Sequence, residues 1–137
     1  MAVQPEDIAR LTDDEFLAGF EDCTIVPFHH RDHVRAAWIY LRRHNYAEAA
    51  SHMAESVRRF AIRHNVPAMY HETVTQAWMQ LVHSAMLETP EEQFGAFIAR
   101  HAELLNKHAL EAFYSPELLA SEQARAGWVP PDLQPLP

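Results

Sequence analysis

Cysteine is almost missing from this chain of 137 residues, since Cys23 stands alone. No intrachain disulfide can form, and a zinc site built on several thiolates is excluded. Glycine is nearly as scarce, with only 3 residues, Gly19, Gly95 and Gly127. Isolated glycines cannot build a phosphate-cradling loop, so a dinucleotide cofactor is not expected. Positive charge is in deficit: 11 Lys and Arg stand against 19 Asp and Glu, for a formal net charge of −8. A negative body repels nucleic-acid backbones and anionic membrane surfaces alike. No apolar run approaches the roughly 20 residues a membrane-crossing helix needs. The opening MAVQPEDIARLTDDEF lacks the basic-then-apolar order of a secretion signal. A reducing cytoplasm is the expected compartment. No stretch alternates apolar and polar residues between turn signals, so strands are not expected either.

What the chain does have is hydrophobic residues, at 48%, and 10 histidines. The first figure suffices for a single buried core. Helix signals then follow one another. In LTDDEF, Thr12 and Glu15 form a capping box with Leu11 and Phe16 as its staple, so the first helix runs from about Asp13 to about Asp22. A second follows Pro27, from His29 or His30 to Arg43, with Asn45 suited to a left-handed stop. A third covers about Tyr46 to His64, ended by Asn65 and Pro67. A fourth spans about Met69 to Glu88. TPEE, with Thr89, Pro90 and Glu92, announces a fifth, from about Pro90 to about Phe113. SPELLASEQARAG predicts a short last helix, from Ser115 and Pro116 to a stop at Gly127. The remainder, 128–137, is proline-dense and expected to be extended, with Trp128 as its anchor on the body. The expected architecture is all-α: one antiparallel bundle of about five main helices over residues 1–127, plus the proline-rich tail.

Periodicity sorts the histidines. On the second helix the apolar face is set by Val34, Ala37, Trp38 and Leu41. His30 lies near its centre and His33 on its flank, while His29 points to solvent. His30 and His33 are spaced i,i+3, where Cβ atoms are about 5–6 Å apart. On the fourth helix His71 falls on the apolar face two turns before Trp78. Glu72 falls at its edge and Thr75 one turn beyond His71. In an antiparallel bundle the second and fourth helices run parallel, so both motifs belong at one end. His30, His33, His71 and Glu72 are therefore the candidate metal ligands, with Glu72 as either ligand or general base. Tyr70 is a candidate proton donor beside them. Of the others, His101 and His108 fall on the fifth helix's apolar stripe, where a hydrogen-bonded core role is the simpler reading.

The two motifs, F-x-H-x-x-H-x-x-x-A-W in FHHRDHVRAAW and Y-H-E-T-x-T-x-x-W in YHETVTQAW, resemble those of a group of small bacterial helical proteins. YSPELLAS is similar as well, and the likeness spans Phe28 to Gly127. It implies that His30, His33, His71 and Glu72 act as a unit, and it implies no activity.

Three functions are open. The first is a metal-dependent enzyme acting on a small molecule. Three histidines with Glu72 as base suit a zinc hydrolase or lyase. Two histidines with Glu72 as ligand match a non-haem iron oxygenase, and an all-histidine set admits copper. Tyr70, Trp78 and the methionines tip this reading towards an oxidoreductase. The second is a metal- or ligand-binding protein without catalysis. The third is a metal-free helical interaction module. The chain lacks Glu-x-x-His, so a di-iron carboxylate centre is not expected. Self-association, substrate and reaction stay open.

Overall fold

A computed structural model describes residues 4–137, which contain helices and turns and no strand. The helices are α1 (Pro5–Arg10), α2 (Asp13–Glu21), α3 (His30–Arg43), α4 (Tyr46–Arg63), α5 (Glu72–Glu88), α6 (Phe94–Arg100), α7 (Pro116–Leu119) and α8 (Glu122–Ala126). The expected all-α fold with five main helices, α2 to α6, is what the chain adopts. No helix of the described residues is long and apolar enough to cross a membrane.

Local chemistry sets most boundaries. Thr12 and Glu15 exchange backbone-to-side-chain bonds of 2.9 and 3.1 Å, the capping box that starts α2. At the start of α3, the Asp32 carboxylate accepts the His29 N–H at 2.9 Å. Asn45 is not the left-handed stop expected of it. It is the N-cap of α4 in extended conformation, and its side chain accepts the Glu48 N–H at 2.8 Å. The left-handed residues are Asn65, two positions past the end of α4, and Cys23, two past the end of α2, each with φ 61°.

α3 is the hub. Val34, Ala36, Ala37, Trp38, Ile39 and Tyr40 are all at most 2% exposed, packed among α2, α4 and α5. Arg35 binds the N-terminal corner to it. Its guanidinium donates to the carbonyls of Ile8 (3.1 Å) and Leu11 (2.7 Å), pairs with Asp13 at 3.2 Å and lies 4.4 Å above the Phe16 ring.

The second half departs from expectation in three places. α5 begins at Glu72, because residues Pro67–Met69 close a separate 3₁₀ turn and His71 is the N-cap. The fifth helix does not run from Pro90 to Phe113. It covers Phe94–Arg100 and then gives way to 3₁₀ turns at Ala102–Leu105 and Ala109–Ala112. His101 leaves helical geometry at φ −126° and ψ 51°. The Asn106 side chain takes the His108 N–H at 3.0 Å, a local bond that competes with helix. The capping box expected of Thr89 and Glu92 does not start α6, whose N-cap is Gln93, and the adjacent Glu91 pairs with Arg100 at 2.7 Å. The last helix is two, α7 capped by Ser115 and α8 by Ser121.

The tail packs on the body, but not through Trp128, which is 42% exposed. Val129 is the anchor, at 7% exposure, and its carbonyl accepts the Tyr114 hydroxyl at 2.9 Å. Thr73 on α5, fully buried, clamps the same segment. Its hydroxyl donates to the Gly127 carbonyl at 2.8 Å and accepts the Val129 N–H at 3.1 Å. Thr73→Val keeps the shape and strands both partners. A loss of about 2–4 kcal/mol is expected in urea unfolding, with Thr73→Ser losing much less. An unchanged midpoint for Thr73→Val would show that the clamp is not formed.

Candidate functional site

The N-terminal halves of α3 and α5 face each other across a cavity of about 410 Å³. His30, His33, Val34 and Ala37 line it from α3; Val74, Thr75, Trp78, Met79 and Val82 line it from α5. Met53, Val57, Phe60 and Ala61 of α4 close one side, and Val66, Met69 and Tyr70 contribute from the turn before α5. The volume lies near the lower end of the roughly 300–1,000 Å³ of small-molecule sites, and the mostly apolar wall is typical of them. The two motifs thus meet at one place. His30, His33, Tyr70 and His71 all border the cavity; Glu72 does not.

The four polar groups differ in what they have left to offer. His71 is fully engaged. Its Nδ1 accepts the Val74 N–H at 3.1 Å, capping α5. That fixes the proton on Nε2, which donates to the Leu119 carbonyl at 2.7 Å. Thr75, one turn beyond, donates its hydroxyl to the His71 carbonyl at 2.9 Å and leaves the ring alone. The Tyr70 hydroxyl donates to the Glu72 carboxylate, and the Arg58 guanidinium lies 3.7 Å from that carboxylate and 4.6 Å over the Tyr70 ring. Burial, then the hydrogen bond to Glu72, push the Tyr70 hydroxyl up to about 12. It therefore holds its proton firmly, on a bond to a carboxylate that does not line the cavity.

His30 is half engaged. Its Nε2 donates to the Leu104 carbonyl at 2.8 Å, and its ring stands 4.5 Å from the Trp78 ring, edge to face. Burial lowers its pKa; the Leu104 carbonyl works in the opposite direction. His33 is the free one. Its ring stands edge-on to Phe28 at 4.8 Å and Phe20 at 6.4 Å. Among the described residues it has no hydrogen-bond partner, and it opens onto the cavity. Burial, then the neighbouring His30, depress it to about 4. At neutral pH its imidazole is uncharged, with one N–H and one lone pair unassigned.

The expected four-ligand set does not converge. Among the described residues no three His, Cys, Asp or Glu side chains come together in a group that could hold an ion. The reason is visible in the bonds above: His71 has no free nitrogen, and Glu72 is held outside the cavity by Tyr70 and Arg58. Ring nitrogens remain on His33 and on Nδ1 of His30. His101 is a core residue, 6% exposed, with Nδ1 3.2 Å from Glu103. His108 is exposed and pairs with Glu111 at 2.7 Å.

Sequence reasoning missed the one charged lining residue altogether. Lys107, in the turn after Leu105, lies at the cavity's edge. The signal was present, since Lys107 is the chain's only lysine.

No protein-family model, curated protein or solved structure matches the chain. The motif likeness therefore stands on its own residues.

The neutral state of His33 has a measurable consequence. Its folded pKa, about 4, lies below the ordinary value of 6.5, so the unfolded chain binds the proton first. Stability is full above about 6.5, falls as pH drops towards 4 and levels off below. The loss attributable to this ring is up to about 3 kcal/mol. His33→Gln should lose less stability than the parent between pH 7 and 4.5 in urea titrations. Parallel curves would mean that His33 is not held neutral by burial.

Proposed function

We propose that the protein binds a small, largely apolar molecule in the cavity between α3 and α5. The observation that carries this reading is a cavity of about 410 Å³ with apolar walls and one unpartnered imidazole, His33, opening into it. A void of that size left empty loses packing for every group around it. The half-buried His33 ring has no protein partner, which leaves its N–H and lone pair free to meet a polar group. A ligand with an apolar body and one hydrogen-bonding group would fill the first and pair the second. His30 and Trp78, packed edge to face, would supply an aromatic corner against which a ligand ring can pack.

A metal-assisted enzyme is the second reading, favoured by a specific feature. His30 and His33 lie one turn apart on the same wall, and His33 is unprotonated at neutral pH, as ligation requires. With His30 binding through Nδ1, two imidazoles would leave open positions for water and substrate. Iron or copper would there serve oxidation, and zinc hydrolysis or elimination. Recruiting His71 or Glu72 would first require breaking the bonds to Leu119 and Val74, or to Tyr70 and Arg58.

Calorimetric titration with two neutral probes, octanol and naphthalene-2-carboxamide, tests the first reading. Binding of at least one is expected. Ala37→Leu, which fills the cavity from its α3 wall, should weaken it by about tenfold or more through loss of volume and contact. Its melting temperature should stay within a few degrees of the parent. Failure of both probes to bind the parent, or equal binding to Ala37→Leu, contradicts the reading. Cobalt(II) titration followed by visible absorption tests the second. One ion per chain, lost in both His30→Ala and His33→Ala, is its expected outcome; no ligand-field band in the parent counts against it.

A further inference from the structure

The cavity's charge is lopsided. None of its lining residues is Asp, Glu or Arg, and the single fixed charge is the ammonium of Lys107. This is the chain's only lysine among 11 basic residues; every other one is arginine. Lys107 is exposed at the cavity's edge. It takes part in no ion pair among the described residues, although acids lie close by in sequence. Glu103 is turned to His101 at 3.2 Å and Glu111 to His108 at 2.7 Å. An unpaired cation at the edge of an apolar cavity is out of keeping with a chain whose net charge is −8. It makes a local sink for negative charge on a surface that otherwise repels it.

Polarity is graded inward from there. Lys107 is exposed, His30 and His33 are half-buried, and the deep residues Met79 and Val82 are at most 1% exposed. A ligand that matches this order has a charged head at the edge and an apolar body beyond it. The head carries a single negative charge. One ammonium can balance one carboxylate, whereas a phosphate dianion would call for a second cation or a set of backbone donors. Arg31, within the first motif, and Arg58, packed against the second, do not line the cavity. Arg58 is held by Glu72 and Tyr70.

Resting on the reading of the cavity as a ligand site, we propose that its ligands are small amphipathic monocarboxylates, aromatic or short-chain, whose carboxylate is bound by Lys107. His33 meets a second polar group further in, where the ligand has one. The arrangement selects against amines and other cations, for which the cavity has no acidic partner.

The test compares matched pairs by calorimetry: octanoate with octanol, and naphthalene-2-carboxylate with naphthalene-2-carboxamide. Each pair is titrated into the parent, Lys107→Gln and Lys107→Arg. Lys107 is exposed, so neither substitution endangers the fold. The carboxylate is expected to bind about tenfold or more tightly than its neutral partner. That preference should vanish in Lys107→Gln, survive in Lys107→Arg and shrink as salt is raised. Affinity for the neutral members should be the same in all three proteins. If acid and neutral members bind the parent alike, or if Lys107→Gln keeps the preference, the carboxylate assignment is overturned while the cavity reading stands. If no member of either pair binds, the cavity reading itself fails and this inference falls with it.

Discussion

An imidazole N–H donated to a backbone carbonyl is the interaction on which this arrangement rests. It occurs three times between distant segments. His30 holds the carbonyl of Leu104 at 2.8 Å, His71 that of Leu119 at 2.7 Å, and His64 that of Cys23 at 3.3 Å. Each carbonyl lies outside a long helix, where regular backbone bonding offers it no partner. The chain after α6 is mostly turns and very short helices, with little self-sufficient structure. Two histidines on the long helices α3 and α5 fix it in place, and Thr73 fixes the tail beyond it. Much of the histidine content therefore serves to attach irregular chain to regular chain.

That role bears directly on the site. A ring nitrogen that holds a carbonyl is withdrawn from chemistry. His71 is spent on both sides, His30 on one, and His33 on neither. The same bonds shape the cavity's edge, because His30 holds the turn at Leu104 that leads to Lys107. The polar inventory that results is short: one neutral imidazole inside, one half-free imidazole beside it and one ammonium at the edge. Such an inventory suits recognition of a small amphipathic molecule. It suits acid–base catalysis less well, because a base depressed to about 4 takes up protons weakly at neutral pH.

Most of the first half of the fold was legible in residue order; the exceptions are α1, which no expectation covered, and Asn45, which caps α4 and does not stop α3. Thr12 with Glu15, the apolar stripes of α3 and α4, and the break at Asn65 and Pro67 are local signals, and local bonds satisfy them. Periodicity also separated His30 and His33 from exposed His29 and placed His71 inward. The second half was not legible in this way. The apolar stripe through Phe94, Phe97, Ile98, Leu104 and Leu105 reads as one helix, yet a 3₁₀ turn can present Leu104 to the core equally well. In the folded chain the Leu104 carbonyl goes to His30, a contact across 74 positions that no local pattern shows. Direction was legible; commitment was not. Pattern shows that His71 points inward, but not that both its nitrogens are already paired. Glu72 was read as reaching in from the side, whereas Tyr70 and Arg58 draw it out. Lys107 went unnoticed because its position depends on those same long-range bonds.

The measurement that tests the central claim most directly is nitrogen-15 NMR of the histidine rings during titration with naphthalene-2-carboxylate. The claim is that His33 alone among the inward rings is neutral, unpartnered and open to a ligand. The account predicts a neutral signature for His33 at pH 7 and movement of its ring resonances on titration, with a smaller change at His30. The rings of His64 and His71, each holding its carbonyl, should stay where they are. Unmoved His33 resonances at saturating ligand, or a shift centred on His71, would contradict it.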